Sequence, residues 1–126
     1  MFETVGRTIR STFAGVVTCP VQYDNGPLVN TSDLWVRLTI LWGAVQATEI
    51  GGNFRLVGVM KAQIRQPFLL GEHNTLVLGD TIADAFRSVN YSGVTFRTPT
   101  VESFGRDGPY WLVNVQCPFF ADEVVL

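Results

Sequence analysis

The spacing of apolar residues along the chain predicts two amphipathic helices. Over residues 2–14, apolar positions recur at intervals of three or four, which places them on one stripe of a helix. That stripe consists of Phe2, Val5, Ile9 and Phe13. A second stripe, within residues 72–89, consists of Leu78, Ile82, Phe86 and Val89 with Ala85 beside it, and its polar side carries Asp80, Asp84 and Arg87. Each helix therefore has one face suited to packing on a sheet.

Elsewhere, apolar and polar residues alternate with the period of two that is typical of strands. The clearest strand is LWVRLTILWG at residues 34–43, and AVQATEI at 44–50 follows as a weaker one. FRLVGVMKAQIRQP at 54–67 is a long strand, whose predicted inward side carries Phe54, Leu56, Met60, Ala62 and Ile64. VTFRTPTVESF at 94–104 and YWLVNVQCPFF at 110–120 form a hairpin around the turn GRDGP.

The order of these elements predicts an α+β fold. A helix, a short strand, three strands in succession, a second helix and a final hairpin favour a mainly antiparallel sheet with both helices packed on one face. In the last strand, Pro118 cannot donate a hydrogen bond, so it is predicted to mark the point where pairing stops or the strand reaches an edge. Residues 1–126 are predicted to form a single domain.

Composition excludes some classes of protein and leaves others open. A formal net charge of −2 argues against a dedicated nucleic-acid binder. The charged fraction, 16% against a usual figure of about 25%, is typical of proteins that hide surface in an assembly. Without a long apolar segment, the sequence indicates neither a signal peptide nor a membrane span, and predicts a protein made and kept in the cytosol. Cys19 and Cys117 lie far apart, which indicates reduced thiols and no zinc site.

The search for reactive groups finds no catalytic constellation. His73 is the only histidine, and Glu72 is its only acidic neighbour, so an exposed residue at a helix start is the simpler interpretation. Asp80 and Asp84 lie four residues apart on one helix face, where carboxylates are usually solvated. The sequence therefore predicts no enzyme, no cofactor and no metal site.

The outer face of the long strand is unusual, because Val57 and Val59 lie between its basic residues. Apolar residues in this position indicate partial cover by a loop of the same chain or by a neighbouring subunit. The basic residues are Arg55, Lys61 and Arg65. Without interleaved aromatic residues, this stripe is not typical of single-strand nucleic-acid binding.

Several short motifs stand out over about residues 17–123: Trp35-Val36-Arg37-Leu38-Thr39-Ile40, Arg55 and Gly58 in the long strand, Pro67 and Gly71 before a helix with Ala83-Asp84, and Cys117-Pro118-Phe119-Phe120-Ala121-Asp122-Glu123. Together these motifs resemble the tail terminator family of long-tailed bacteriophages. One departure is PFLLGEHN at 67–74, where the family has a smaller and more glycine-rich connection.

The resemblance implies a structural protein of the virion tail neck, assembled in the host cytoplasm. Its subunits are expected to form a homo-hexameric ring on the head-proximal end of the tail tube, which stops polymerisation and offers a face to the head–tail connector protein. The implied partners are other copies, the tail-tube protein and the connector, with DNA passing through the lumen without specific binding and with no membrane. No cofactor or turnover is implied.

Ring closure needs two complementary surfaces on each subunit, so we predict interface residues in loops and on the open sheet face. Residues 24–33 and 49–54 are the loops expected to reach the tube or connector. The predicted subunit or partner interface residues are Arg37, Glu49, Asn53, Arg55, Arg65, Phe68, Leu69 and Phe119.

Two alternatives remain open at the level of sequence. The first keeps the virion setting but assigns the chain to a head–tail joining protein or to a tail-tube subunit, which would polymerise into long cylinders. The second is a small cytosolic ligand-binding or enzymatic domain, which would need a pocket with convergent polar groups. The sequence offers no cluster of titratable residues for such a pocket.

Overall fold

The structure is a computed structural model that describes residues 2–24, 26, 33–47, 53–67 and 73–124. It contains two helices and seven strands in these ranges. In chain order they are α1 (Phe2–Val16), β1 (Val21–Tyr23), β2 (Trp35–Ala47), β3 (Asn53–Pro67), α2 (His73–Phe86), β4 (Asn90–Tyr91), β5 (Val94–Phe96), β6 (Thr100–Asp107) and β7 (Tyr110–Val124). Neither of the described helices has the length and apolar character needed to cross a bilayer.

The strands form one sheet in the order β1-β2-β3-β7-β5-β4, and β6 pairs with β7 beside β5. All neighbouring strands run antiparallel except β1 and β2, which are parallel. The long strands β3 and β7 pair along their whole length, from Asn53 opposite Val124 to Pro67 opposite Tyr110. The predicted α+β fold with a mainly antiparallel sheet is therefore confirmed.

The hydrophobic core lies between one face of the sheet and the two helices. The strand register aligns Val36, Ile64 and Val113 on this face, and alternate residues of each strand follow them. The helices add Val5, Ile9, Phe13, Ile82, Ala83 and Phe86. Fully burying a large apolar side chain stabilises the fold by about 1.5–3 kcal/mol, so this layer supplies the main driving force for folding. The prediction that both helices pack on one face is confirmed.

Helix α2 ends earlier than the apolar stripe predicts, at Phe86 rather than near residue 89. Ser88 adopts a positive φ of 52°, which breaks the helical conformation. The carbonyl of Val89 then accepts a hydrogen bond from the amide of Phe96 at 2.8 Å, so the chain turns into the sheet. Helix α1 extends two residues beyond the predicted end, to Val16.

Strand β2 corrects the prediction of two successive strands. The segments predicted as separate form one strand with a bulge between Trp42 and Val45, and both parts pair with β3. Gly43 fits this bend because a Cβ atom at that position would lie 2.8 Å from the carbonyl oxygen of Val57. An extra residue in one strand bends it and increases its twist, so β2 bends where one strand was expected to end and the next to begin.

The segment predicted as one strand at residues 94–104 is also different. It divides into β5 and β6, which are separated by Arg97, Thr98 and the buried Pro99. Both strands pair with the same edge of β7. β5 pairs with residues 119–121 of β7, and β6 pairs with residues 110–116. The turn into β7 falls at Gly108 and Pro109, within the predicted motif, and Gly108 has a φ of 58°.

Pro118 does not end β7, contrary to one reading of the sequence. Pairing with β3 continues through Pro118, which lies opposite Val59. Its carbonyl accepts a hydrogen bond from the amide of Arg97 at 2.8 Å, so its ring nitrogen points to the edge shared by β5 and β6. Pro118 therefore lies at the gap between β5 and β6. No residue of either strand pairs with it there, so the absence of its N–H leaves no strand acceptor without a donor.

Candidate assembly surfaces

The face of the sheet opposite the helices is not covered by any element in the described part of the chain. Its centre is apolar, since Val57 lies opposite Phe120, and Val59 lies opposite both Leu41 and Pro118. Both valines are only partly buried, by side chains of the same sheet. We call this surface the open face.

Arg55 belongs to a cluster at one end of the open face. Its guanidinium donates to both carboxylate oxygens of Asp122, at 2.7 and 3.0 Å. It also lies over the ring of Phe120, 4.2 Å from the centroid, and Arg97 lies 4.8 Å from the same centroid. The hydrogen bond from Arg55 lowers the pKa of Asp122 below its usual 3.8, and the bond to Asp122 raises the pKa of Arg55.

Arg65 and Arg37 occupy other parts of the open face. The guanidinium of Arg65 lies over the ring of Trp35 at 5.9 Å, and that ring makes an edge contact with Tyr110 at 6.2 Å. Arg37 is exposed, and its guanidinium lies 3.7 Å from the carboxylate of Asp24. The three predicted arginines therefore share one face but lie in separate environments, and their role in an interface stays a prediction.

The open face carries a net positive charge. Among the described side chains, five basic residues and three acidic ones lie on it, a balance of +2, and the other described side chains balance to zero with four of each sign. The basic residues are Arg37, Arg55, Lys61, Arg65 and Arg97, and the acidic ones are Asp24, Glu102 and Asp122. Among the described side chains, the net positive charge therefore lies on the open face.

Phe119 is not a surface residue, which corrects its prediction as an interface contact. Only 2% of it is exposed, and its ring packs against Phe96 and Trp42 at centroid distances of 6.0 Å each. A Cβ atom at Gly58 would lie 2.6 Å from Cζ of Phe119, so the glycine makes room for the ring. The neighbouring Phe120 is the residue that points to the open face.

The structure does not describe the side chains of four other predicted interface residues. Glu49, Phe68 and Leu69 lie outside the described residues, as do most of residues 24–33 and all but the last two of 49–54. Asn53 begins β3, opposite Val124, and only its backbone position is described. The predicted loop contacts therefore stay predictions.

The exposed large apolar side chains form two groups that the sequence patterns did not predict. One group lies where β2 extends beyond its pairing with β1, and we call it the β2-edge patch: Phe2, Trp42 and Val45 on the helix side of the sheet and Leu41 on the open face, which are 40–52% exposed. Within it, the rings of Phe2 and Trp42 touch edge to face at 5.2 Å. The alternation of β2 does indicate a strand, but it cannot show that nothing covers this edge.

The second group lies at the other side of the sheet, where α2 packs on β6. We call it the β6-edge patch: Leu76, Val77, Val101 and Phe104, which are 36–53% exposed. Helix and strand touch there, since a Cβ atom at Gly79 would lie 3.4 Å from Cγ1 of Val101. All eight exposed large apolar residues of the described ranges thus belong to one of two patches on opposite edges.

The groups considered for catalysis are not brought together. His73 is exposed at the start of α2, and Asp80 and Asp84 are exposed on the same helix, where Asp84 accepts a hydrogen bond from Arg87 at 2.9 Å. The described residues contain no cluster of three or more His, Cys, Asp or Glu side chains able to hold a metal. Cys117 is buried, and burial raises the pKa of its thiol to about 11.

Comparison with known proteins gives a shared fold. No family model matches the chain, and no curated protein matches it. Among the solved structures that do match, one with 13% sequence identity aligns over 96% of this chain and 97% of its own, with a TM-score of 0.66. The name of that structure states no function. At this level of identity the match shows the fold alone.

Proposed function

We propose that this protein is a structural subunit of a long-tailed bacteriophage that forms a ring, hexameric by the family resemblance, on the head-proximal end of the tail tube. In this role the ring ends tube polymerisation and presents a surface to the head–tail connector. The protein performs no turnover and needs no cofactor, because its activity is binding. Double-stranded DNA passes through the lumen without specific recognition.

One observation carries this proposal: the two apolar patches lie on opposite edges of a single subunit. A ring forms when one patch of each copy binds a different patch of its neighbour, so a ring subunit needs two unlike surfaces. Large apolar side chains at 36–53% exposure are typical of surfaces that become covered in an assembly. The α+β fold and the motifs that resemble the tail terminator family support the same role.

Electron microscopy of the purified protein with tail tubes of the same phage tests this function. We expect ring-shaped density at one end of each tube and tubes that no longer lengthen when more tube protein is added. Long cylinders formed by the protein alone would instead indicate a tail-tube subunit. Binding to the connector without binding to tubes would indicate a joining protein. A protein that stays monomeric at high concentration and also leaves tube ends bare would contradict the proposal.

A further inference from the structure

The sheet has two edges with unpaired strand segments, and each carries one of the apolar patches. β2 pairs with β1 only through Val36, Arg37 and Leu38, so from Thr39 to Ala47 its outward edge has no strand partner among the described residues. β6 pairs with β7 alone, and its other edge is likewise bare within the described ranges. Bare strand edges present rows of backbone donors and acceptors that can pair with another chain.

We propose that successive copies join head to tail, with the β2 edge of one copy pairing with the β6 edge of the next. The occupant of each patch is therefore a second copy of this chain. This inference rests on the proposed ring function and states how the ring is held together. It assigns the subunit interface to Thr39–Ala47 and Thr100–Asp107, away from Arg55 and Arg65 of the open face.

The topology fixes the direction of this pairing. Within one subunit β2 is antiparallel to β3, β3 is antiparallel to β7, and β7 is antiparallel to β6, so β6 runs antiparallel to β2. When a neighbour extends the sheet in the same orientation, its β6 meets β2 antiparallel. The two unpaired segments have nine and eight residues, so they match in length. Antiparallel pairing also places side chains of the two strands directly opposite each other.

The two edges also match in shape. At the β2 edge a groove of about 200 Å³ opens beside the strand, lined by Arg10, Tyr23, Asp24, Leu38, Ile40 and Trp42. At the β6 edge Phe104 lies at a bulge and is 53% exposed, the largest exposure among the apolar residues of either patch. The groove has an apolar wall of Leu38, Ile40 and Trp42 and a polar wall of Arg10, Tyr23 and Asp24, and a large apolar side chain of the other edge would contact its apolar wall.

Charge is complementary at the rims of the two edges. The β2 edge has Arg10, Arg37 and Asp24, a balance of +1. At the β6 edge, Glu102 and Arg106 lie on the strand, and Asp80 lies one helical turn after Leu76, a balance of −1. Opposite rim charges favour contact between unlike edges over contact between two copies of the same edge.

Bulges on both strands limit how far such pairing can extend. β2 changes register between Trp42 and Val45, and β6 does so between Ser103 and Gly105. A bulge twists an edge away from flat, open-ended pairing. Pairing is therefore confined to the segments on either side of each bulge, and the added twist bends the strands that take part.

Two single variants, studied alone and mixed, test this inference. Leu41→Glu places a charge on the β2 edge, and Phe104→Glu places one on the β6 edge, at side chains that are more than half exposed. Ser11→Glu, on the exposed side of α1, is the matched control. Native mass spectrometry and sedimentation velocity report the oligomers, and tube capping in electron micrographs reports rings that form only on tubes. Circular dichroism and thermal melting confirm that each variant is folded.

We expect each edge variant alone to be monomeric and to lose at least tenfold in ring formation or tube capping, while Ser11→Glu assembles like the wild type. An equal mixture of the two edge variants forms a heterodimer and no ring, because one intact β2 edge meets one intact β6 edge. Val45→Glu and Phe104→Ser replace any edge variant that melts early.

The inference is overturned if a folded edge variant still forms rings, if either variant alone forms a dimer, or if the mixture stays monomeric under conditions in which the wild type forms rings. In each of these cases the proposed function still holds if the wild type forms rings or caps tubes. If the wild type does neither, the proposed function fails with it.

Discussion

At the scale of single residues, Gly58 shows how closely β3 and β7 are packed. A Cβ atom at this position would lie 2.6 Å from Cζ of Phe119 and 2.8 Å from the carbonyl oxygen of Leu41. The first contact is with a buried ring and the second with backbone, so neither can move away easily. The glycine is therefore required by the neighbouring strands on both sides.

Replacing Gly58 by Ala is expected to lower the free energy of unfolding by about 1–3 kcal/mol, because the added methyl group overpacks this site. Urea denaturation measures the loss. Gly15→Ala is the matched control, since nothing lies within 4 Å of a Cβ atom at Gly15 in α1. There alanine should leave stability unchanged or raise it by up to about 1 kcal/mol. Equal effects of the two substitutions would contradict this packing.

The pair of Arg55 and Asp122 predicts a pH dependence. The hydrogen bond from Arg55 holds the pKa of Asp122 below 3.8, so the unfolded chain binds this proton at a higher pH than the folded chain does. The stabilisation is therefore present above pH 3.8 and is lost as pH falls through the lower pKa of the folded state.

Urea midpoints measured from pH 6 to pH 2 should fall less for Asp122→Asn than for the wild type. Arg55→Gln should remove the same part of the pH dependence, because the cause of the shift is gone. The double variant should match Asp122→Asn. The effect is modest, since both side chains are partly exposed. Identical pH profiles for wild type and Asp122→Asn would count against this contribution.

At the scale of elements, the depth of each strand in the sheet predicts its stability. β3 is flanked by β2 and β7 over most of its length, whereas β1 pairs through three residues and β4 through two. Amides in a doubly flanked strand open only when a large part of the sheet unfolds.

Hydrogen exchange should therefore be slowest for the amides of β3 around Met60 to Ile64 and fastest for β1 and β4. Mass spectrometry of peptic fragments, or amide exchange followed by NMR, measures this order. Within β6 and β7, exchange should be slower in β7, which has strands on both sides. Protection of β1 equal to that of β3 would show that interactions other than its three-residue pairing with β2 also hold β1 in the sheet.

The sequence predicted the strongly periodic elements correctly and missed features that depend on distant contacts. α1, β3 and β7 follow from periodicity because each buries one continuous face. The sequence around Gly43 was interpreted as a boundary between two strands, and only the position of the Val57 backbone across the sheet shows that it is a bulge within one strand.

The candidate site was harder to predict than the fold. Phe119 and Phe120 differ only in which face of β7 they occupy, and that choice depends on register with Gly58. The β2-edge and β6-edge patches combine apolar residues of strands and helices, which the sequence pattern does not distinguish from core residues. Strand alternation gives the face of each residue but not its distance from an edge, so their exposure could not be read from the sequence.

At the scale of the whole molecule, the proposed ring couples folding to concentration. Only folded copies can bind each other, so association stabilises the folded state by mass action. For a closed ring, a tenfold increase in protein concentration adds about 1 kcal/mol per subunit, which corresponds to about 3–6 °C in Tm for a chain of this size.

We expect the Tm of the wild type to rise by this amount for each tenfold increase in concentration, as measured by scanning calorimetry. Leu41→Glu should have a Tm that does not change with concentration, while Ser11→Glu should behave like the wild type. A wild-type Tm independent of concentration over three decades would argue against ring formation in solution. Rings would then have to form only on tubes.

The position of β7 in the chain has a consequence for biosynthesis. β7 joins β3 to β5 and β6, yet it is translated after all of them. While the ribosome adds the residues between Pro67 and Tyr110, one edge of β3 remains unpaired, because its partner β7 has not yet been translated. Pairing of strands far apart in sequence is slow. A nascent chain therefore cannot complete its β6 edge before β7 emerges, and this delays assembly with neighbours until β7 has been translated.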